Sequence, residues 1–279
     1  MGQNQHTVPQ IYLSSFTDFR SEFPDKPLKI FDKDKKLFFS RGTKNFLTLN
    51  HFYSFRNETG EKDNKIEKYL SALETKFAGA KKRLISEIEN FSNISSKIYI
   101  SEEDKIIFGQ FLIWQYKRTI SFMQNIEEGL AKEFEKDGLS IDKLPNGNYS
   151  YEMKNYVLFV LSKFGENSDM NFLEILLRKN LVISIIPDNI SSGFITSDNP
   201  VLITNKNENT GIVFENTEIS IPLTPKIALS FFQTGNSVIK NIQRNKLEIR
   251  KTNISIAKNA FRYVIGPSDY QLKRICKNL

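Results

Sequence analysis

The sequence predicts an α+β domain, with an N-terminal hairpin and a helical region packed on a C-terminal, mainly antiparallel sheet. Three observations carry that expectation. Apolar residues recur at the 3.6-residue period of a half-buried helix over much of residues 64–136. From Leu181 onward the chain turns to short β-branched runs separated by Asn, Gly and Pro, the pattern of strands joined by tight turns. Between residues 27 and 41, two short runs flank the polar turn Asp32–Lys35, as in a hairpin. With 279 residues, one large domain is expected, comprising an N-terminal helix and hairpin (1–60), a helical part (61–180), a mainly sheet part (181–265) and a tail (266–279).

Residues 9–16 read as a short helix because Pro9 suits a first helical position, where its missing N–H has no partner anyway. Ile66, Leu70, Leu73, Phe77, Ala80, Leu84, Ile88 and Phe91 form one stripe of a helix over 64–91. Ser101-Glu102-Glu103-Asp104 combines a capping hydroxyl with acids that suit a positive helix end; that helix is expected to run to about Lys136 and stop at Gly138. Shorter helices are expected at 150–163 and 168–179. Strands are expected at 181–186, 193–196, 201–204, 211–214, 218–221 and 227–232, with a mobile tip at Asn205–Gly211. A helix over 241–260 and a strand over 261–265 complete the chain.

Composition limits the chemistry. Hydrophobic residues at 39% and 23 Phe supply a core, which excludes wholesale disorder. One Cys excludes a disulfide scaffold and a Cys-based zinc site, and two His, His6 and His51, exclude a multi-histidine centre. No uninterrupted apolar run approaches ~18 residues, so no membrane span is expected. The polar N-terminus lacks the apolar core of a signal peptide, so a cytoplasmic location is expected. A net charge of +7, with local patches at Lys81-Lys82-Arg83 and at Lys273, Arg274 and Lys277, is compatible with a nucleic-acid partner without requiring one. Gly-rich phosphate loops, His-Glu-x-x-His pairs and Gly-x-Ser-x-Gly elbows are missing.

Polar residues in apolar surroundings mark the candidate site. On a continuous helix at ~100° per residue, Gln115, Arg118 and Phe122 fall within about 40° of Phe111, inside the apolar arc. A buried guanidinium is costly unless paired, so Arg118 needs an acidic partner or an anionic ligand; a structural ion pair and a phosphate clamp both stay open. Glu67 and Glu74 lie seven residues apart on one border of the preceding helix. They are solvated carboxylates, counterions of Arg118, or metal ligands. His6 is either an unremarkable terminal residue or a general acid or base; His51 is expected to pack or cap. Ser197-Asp198-Asn199-Pro200, between two expected strands, is a tight turn or a strand-end carboxylate site.

In chain order these signals are His6-x-x-Pro9-x-x-Tyr12-Leu13-x-x-Phe16, Phe52-Tyr53, the helix with Glu67 and Glu74, and Gln115-x-x-Arg118-Thr119. Phe194 to Val201, with its Thr-Ser-Asp-Asn-Pro core, and Ile221-Pro222-Leu223-Thr224-Pro225 follow. Together they resemble the bacterial family catalogued as domain of unknown function 4238, over nearly the whole chain. Ile120 stands where that family often has Pro. The resemblance implies one full-length domain and singles out His6, Gln115, Arg118, Asp198 and Asn199 as motif positions; it implies no activity.

The expected function is phosphodiester hydrolysis directed at nucleic acid or nucleotides, as in a toxin or phage-defence effector. His6 would be general acid or base, and Arg118 would hold a phosphate that Gln115 helps orient. Asp198 with Glu67 or Glu74 would bind a hard divalent cation such as Mg or Mn, and Tyr12, Ser197 and Asn199 would contact substrate. The alternative is a non-catalytic binding or sensor domain whose polar cluster is a structural network or a ligand pocket.

Overall fold

Several helices begin where a side-chain oxygen meets free backbone N–H groups. Ser101 accepts from the Asp104 N–H at 3.1 Å and opens α3 (Glu102–Lys117), and Ser150 does the same for α5 (Tyr151–Leu177). Asn245 and Glu248 form a reciprocal capping box at the start of α6 (Lys246–Asn259). The computed structural model of the chain describes residues 4–279 apart from 18–25, 58, 91–97, 140, 142, 145–146, 148, 206–213, 235–238 and 278. The Gly211–Phe214 run and the tip at 205–211 therefore lie largely outside the described residues.

Before those helices come β1 (Asn4–His6), α1 (Gln10–Leu13) with a 3₁₀ turn at Ser14–Phe16, and the hairpin β2 (Leu28–Asp32) and β3 (Leu37–Arg41). Then β4 (Thr48–Asn50) pairs with β1, β5 (Phe55–Arg56) pairs with β6 (Lys62–Asp63), and α2 (Lys65–Glu89) follows. The C-terminal part supplies β7 (Lys179–Ile185), β8 (Thr196–Ser197), β9 (Leu202–Asn205), β10 (Thr217–Pro222), β11 (Ile227–Thr234), β12 (Ile239–Gln243), β13 (Tyr263–Gly266) and α7 (Asp269–Cys276). The α+β class is as expected.

Two larger sheets organise the chain. One has the order β12-β7-β11-β10-β9, antiparallel except for the parallel β12–β7 pair. The other, β3-β2-β13-β8, joins the N-terminal hairpin to the last strand. Along the first sheet, Leu181, Ile183, Ile219, Ile221, Leu229 and Phe231 share one face with Phe77 of α2 and Phe108 and Phe111 of α3 in the main core; Phe77 and Phe111 stack at 3.5 Å. A second apolar cluster joins Tyr53, Leu70 and Leu73 to Trp114, Met123 and Val157. Gly109 lets α3 pass close to α5, since a Cβ there would lie 2.9 Å from the Leu173 side chain.

Five expectations need correction. The helix expected over 101–136 is two, α3 and α4 (Ile120–Lys136), broken where Arg118 leaves helical geometry and Thr119 becomes an N-cap that accepts from the Phe122 N–H. Where two helices are expected over 150–179, the single helix α5 (Tyr151–Leu177) leads directly into β7. Residues 239–243 are a strand, because the edge of β7 offers hydrogen bonds that local pattern does not reveal. The tail contains α7, and residues 193–195 are not strand. Replacing Thr119 by Ala should cost about 1 kcal/mol through loss of the cap, read as a lowered urea midpoint; an unchanged midpoint would show that packing alone sets the break. Among the described residues, no helix is long and apolar enough to cross a membrane.

Candidate functional site

The end of α3 grips the N-terminal strand. Gln115 and Arg118, three residues apart and so on one helical face, reach two successive carbonyls: Gln115 Nε2 donates to Thr7 O at 3.2 Å and Arg118 Nη2 to His6 O at 2.5 Å. Arg118 Nη1 donates to Glu74 Oε1 at 2.7 Å, and Nε reaches the Tyr53 hydroxyl at 3.4 Å. The guanidinium side chain is 4% exposed and Glu74 27%. The single hydroxyl proton of Tyr53 is shared between His6 O at 3.2 Å and Arg118 O at 3.0 Å, and its ring lies 5.8 Å from the guanidinium carbon. Gln5, fully buried, accepts from the Tyr53 N–H at 2.6 Å and holds Ser54. His6, Gln115, Arg118, Glu67 and Glu74 are thus neighbours, with Gln5 and Tyr53 as members that the sequence did not mark for the site.

Electrostatics within the cluster follow from burial. Desolvation lowers the His6 pKa from 6.5, opposed by backbone hydrogen bonding at Thr43 and by Glu74, so the imidazole is neutral at pH 7. Burial raises the Glu67 carboxyl, an effect moderated by Arg118 and reinforced by Glu74. Burial pushes the Tyr53 phenol up to about 12, with Arg118 pulling it back. The Arg118 pKa is raised: burial acts against its charge, but Tyr53 and Glu74 outweigh it. Two buried acceptor-capable atoms, His6 Nε2 and Gln115 Oε1, have no hydrogen-bond partner.

The depressed His6 pKa has a consequence for stability. At pH values between the folded pKa and 6.5 the unfolded chain takes the proton first, so the His6 contribution is present above 6.5 and lost as the pH falls through the folded value. A His6→Gln variant should therefore lose less stability than the parent on acidification from pH 7 to 5, measured by urea unfolding at each pH; parallel profiles would refute this.

The remaining predicted residues lie elsewhere. Asp198 sits at the corner where the chain passes from β8 in one sheet to β9 in the other. Its Oδ1 accepts from the Phe261 N–H and its Oδ2 from the Arg262 and Tyr263 N–H groups, at 2.8–2.9 Å. Burial pushes its carboxyl up to about 6 against these three donors. In this arrangement Asp198 clamps the start of β13. Ser197 Oγ accepts from the Asn199 N–H, closing the turn, and the Tyr12 hydroxyl bonds Thr196 Oγ1 at 2.7 Å inside the core. Both side chains are fully buried. Asn199 exchanges hydrogen bonds with Asn259 and borders a groove of about 470 Å³ with Tyr116, Phe122, Asn125 and Phe172.

Glu74 is committed to Arg118, Asp198 to backbone, and among the described residues no three His, Cys, Asp or Glu side chains gather as a metal site. The basic run at 81–83 is partly consumed. Lys81 donates to Ile11 O and Ser15 Oγ, burial pulling its amine down to about 8, and Arg83 holds Asp104 through two nitrogens.

A family model described as "Protein of unknown function (DUF4238)" matches residues 4–269. No curated protein and no solved structure matches the chain.

Proposed function

The chain belongs to the DUF4238 family, whose description assigns no activity, and we propose from its own geometry a hydrolase directed at the phosphodiesters of nucleic acid or nucleotides, of the kind used as a toxin or phage-defence effector. One observation carries this reading: a neutral imidazole with an unpartnered Nε2 stands in the same cluster as Glu67, whose carboxyl is raised toward neutrality. Groups pushed toward each other's range from opposite sides are suited to act as base and acid. His6 takes the proton of the attacking water or hydroxyl, and Glu67 is the group that returns one to the leaving oxygen. Arg118 is a positioning residue: its donors hold Glu74 and the His6 carbonyl, which fixes the imidazole's backbone. Support for the substrate class comes from the +7 charge and from the groove beside Asn199, where aromatic edges and amides match what unstacked bases require.

Induction in bacteria, followed by gels of total RNA and plasmid DNA, tests the proposal. The parent should degrade nucleic acid, while folded His6→Ala and Glu67→Gln variants leave it intact; variants as active as the parent would sink the roles, and intact nucleic acid with the parent would sink the activity. A non-catalytic reading is favoured by one observation, the saturation of Arg118 by protein groups. It predicts no turnover and a stability loss as the sole effect of changing Arg118.

A further inference from the structure

A second pocket lies on the other face of the five-stranded sheet. Alternation along the strands puts Ser184, Ala228, Ser230, Ser220, Glu218 and Thr204 on that face, opposite the aliphatic residues of the core; Ser220 pairs directly with Ser230, and Ala228 with Ser184. A sheet face approached by a helix normally carries large aliphatic side chains. Here α6 approaches a floor of small hydroxyl side chains, and a cavity of about 240 Å³ remains between them. Ser184 and Ser230 are 5% and 3% exposed. Ser220 and Ser230 line the cavity with their hydroxyl side chains.

The walls carry charge. Arg244 is fixed by its Nε–H, which donates to Ser184 Oγ at 3.1 Å, and by Glu248, 3.5 Å from Nη1. Lys251 of α6 lies on the same rim, and Glu218 lies at the cavity too. A fork of guanidinium donors beside an ammonium suits a phosphate. A carboxylate beside serine hydroxyls suits the vicinal hydroxyls of a sugar, as an acidic side chain does for ribose. The aromatic residue in the lining, Phe194, is 1% exposed and offers no open face for a base.

We propose that this cavity binds a small sugar phosphate, its phosphate on Arg244 and Lys251 and its hydroxyls on Glu218, Ser220 and Ser230. The site is separate from the His6 cluster and independent of the activity proposed for it.

Calorimetric titration of the full chain with ribose 5-phosphate, ribose and inorganic phosphate tests the assignment. Ribose 5-phosphate should bind saturably at one site, with ribose and phosphate each weaker by about tenfold or more. Lys251→Ala, which removes an exposed side chain, and Ser230→Val, which fills the floor, should each weaken it by about tenfold while circular dichroism and the thermal midpoint confirm the fold. Absence of saturable binding at millimolar ligand overturns the proposal, as does binding indifferent to both variants. Phosphate binding as tightly as the ester overturns the sugar assignment and leaves a bare anion site.

Discussion

Urea unfolding of Arg118→Ala is expected to show a stability loss of about 3–5 kcal/mol, the range for breaking a buried ion pair from one side. Removal of the guanidinium leaves Glu74, 27% exposed, without its partner and the His6 carbonyl without its charged donor. It also opens a void, because the side chain it removes is 4% exposed. Tyr53 is not orphaned, because its hydroxyl proton is still shared between the His6 and Arg118 carbonyls, which caps the loss. Arg118→Lys should fall between parent and Ala, since one ammonium cannot span Glu74 and His6 O in the planar fork that Arg uses. The Glu74→Ala, Arg118→Ala double variant should lose less than the sum of the singles, as contacting partners do. A single-variant loss below about 1 kcal/mol, the value of an exposed pair, would show that the cluster is not a keystone of the α2–α3 seam.

Asp198→Ala should cost on the order of 3 kcal/mol, since each buried donor left unsatisfied costs ~1–3 kcal/mol and Asp198 serves three. The total stays below the arithmetic sum because Phe261 is exposed and its N–H recovers water. Asp198→Asn should lose about half as much, retaining one acceptor oxygen while turning an amide toward the remaining N–H groups. Hydrogen exchange supplies the site-specific readout: the amides of Phe261, Arg262 and Tyr263 should exchange faster than those of β2, which still pairs with the rest of β13. An Asp198→Asn variant with parental stability and exchange but no activity would return Asp198 to the chemistry and refute the clamp.

The contrast between these two residues shows where legibility in the sequence stops. Arg118 drew attention because a charge stood at a position the period of α3 would bury, and buried it is. The helical arc behind that inference was nevertheless incomplete. Ile107, Phe108, Phe111, Leu112, Ile113 and Trp114 are buried around the whole helix, and Phe122 belongs to another helix beyond the Thr119 cap. Asp198 drew attention because Asp at a strand end is a frequent place for chemistry. Its partners are backbone N–H groups more than sixty residues away, which no side-chain pattern advertises. Gln5 escaped notice for the same reason: a buried amide that serves the Tyr53 N–H looks, in the sequence, like any polar residue of a chain terminus.

By itself the sequence determined the class of the fold, the hairpin at 28–41, the long α2 and the face shared by Gln115 and Arg118. All of these follow from spacing within one element, which the backbone periods of helix and strand convert directly into direction. The tertiary structure alone decided that Gln115 and Arg118 would hold the carbonyls of Thr7 and His6, 108 and 112 residues away, that Asp198 would lock a corner between two sheets, and that residues 239–243 would become a strand. Each of those outcomes is a choice of hydrogen-bond partner. Partners are assigned only when distant segments meet, because any buried N–H or C=O must be satisfied by whatever group the folded chain brings to it.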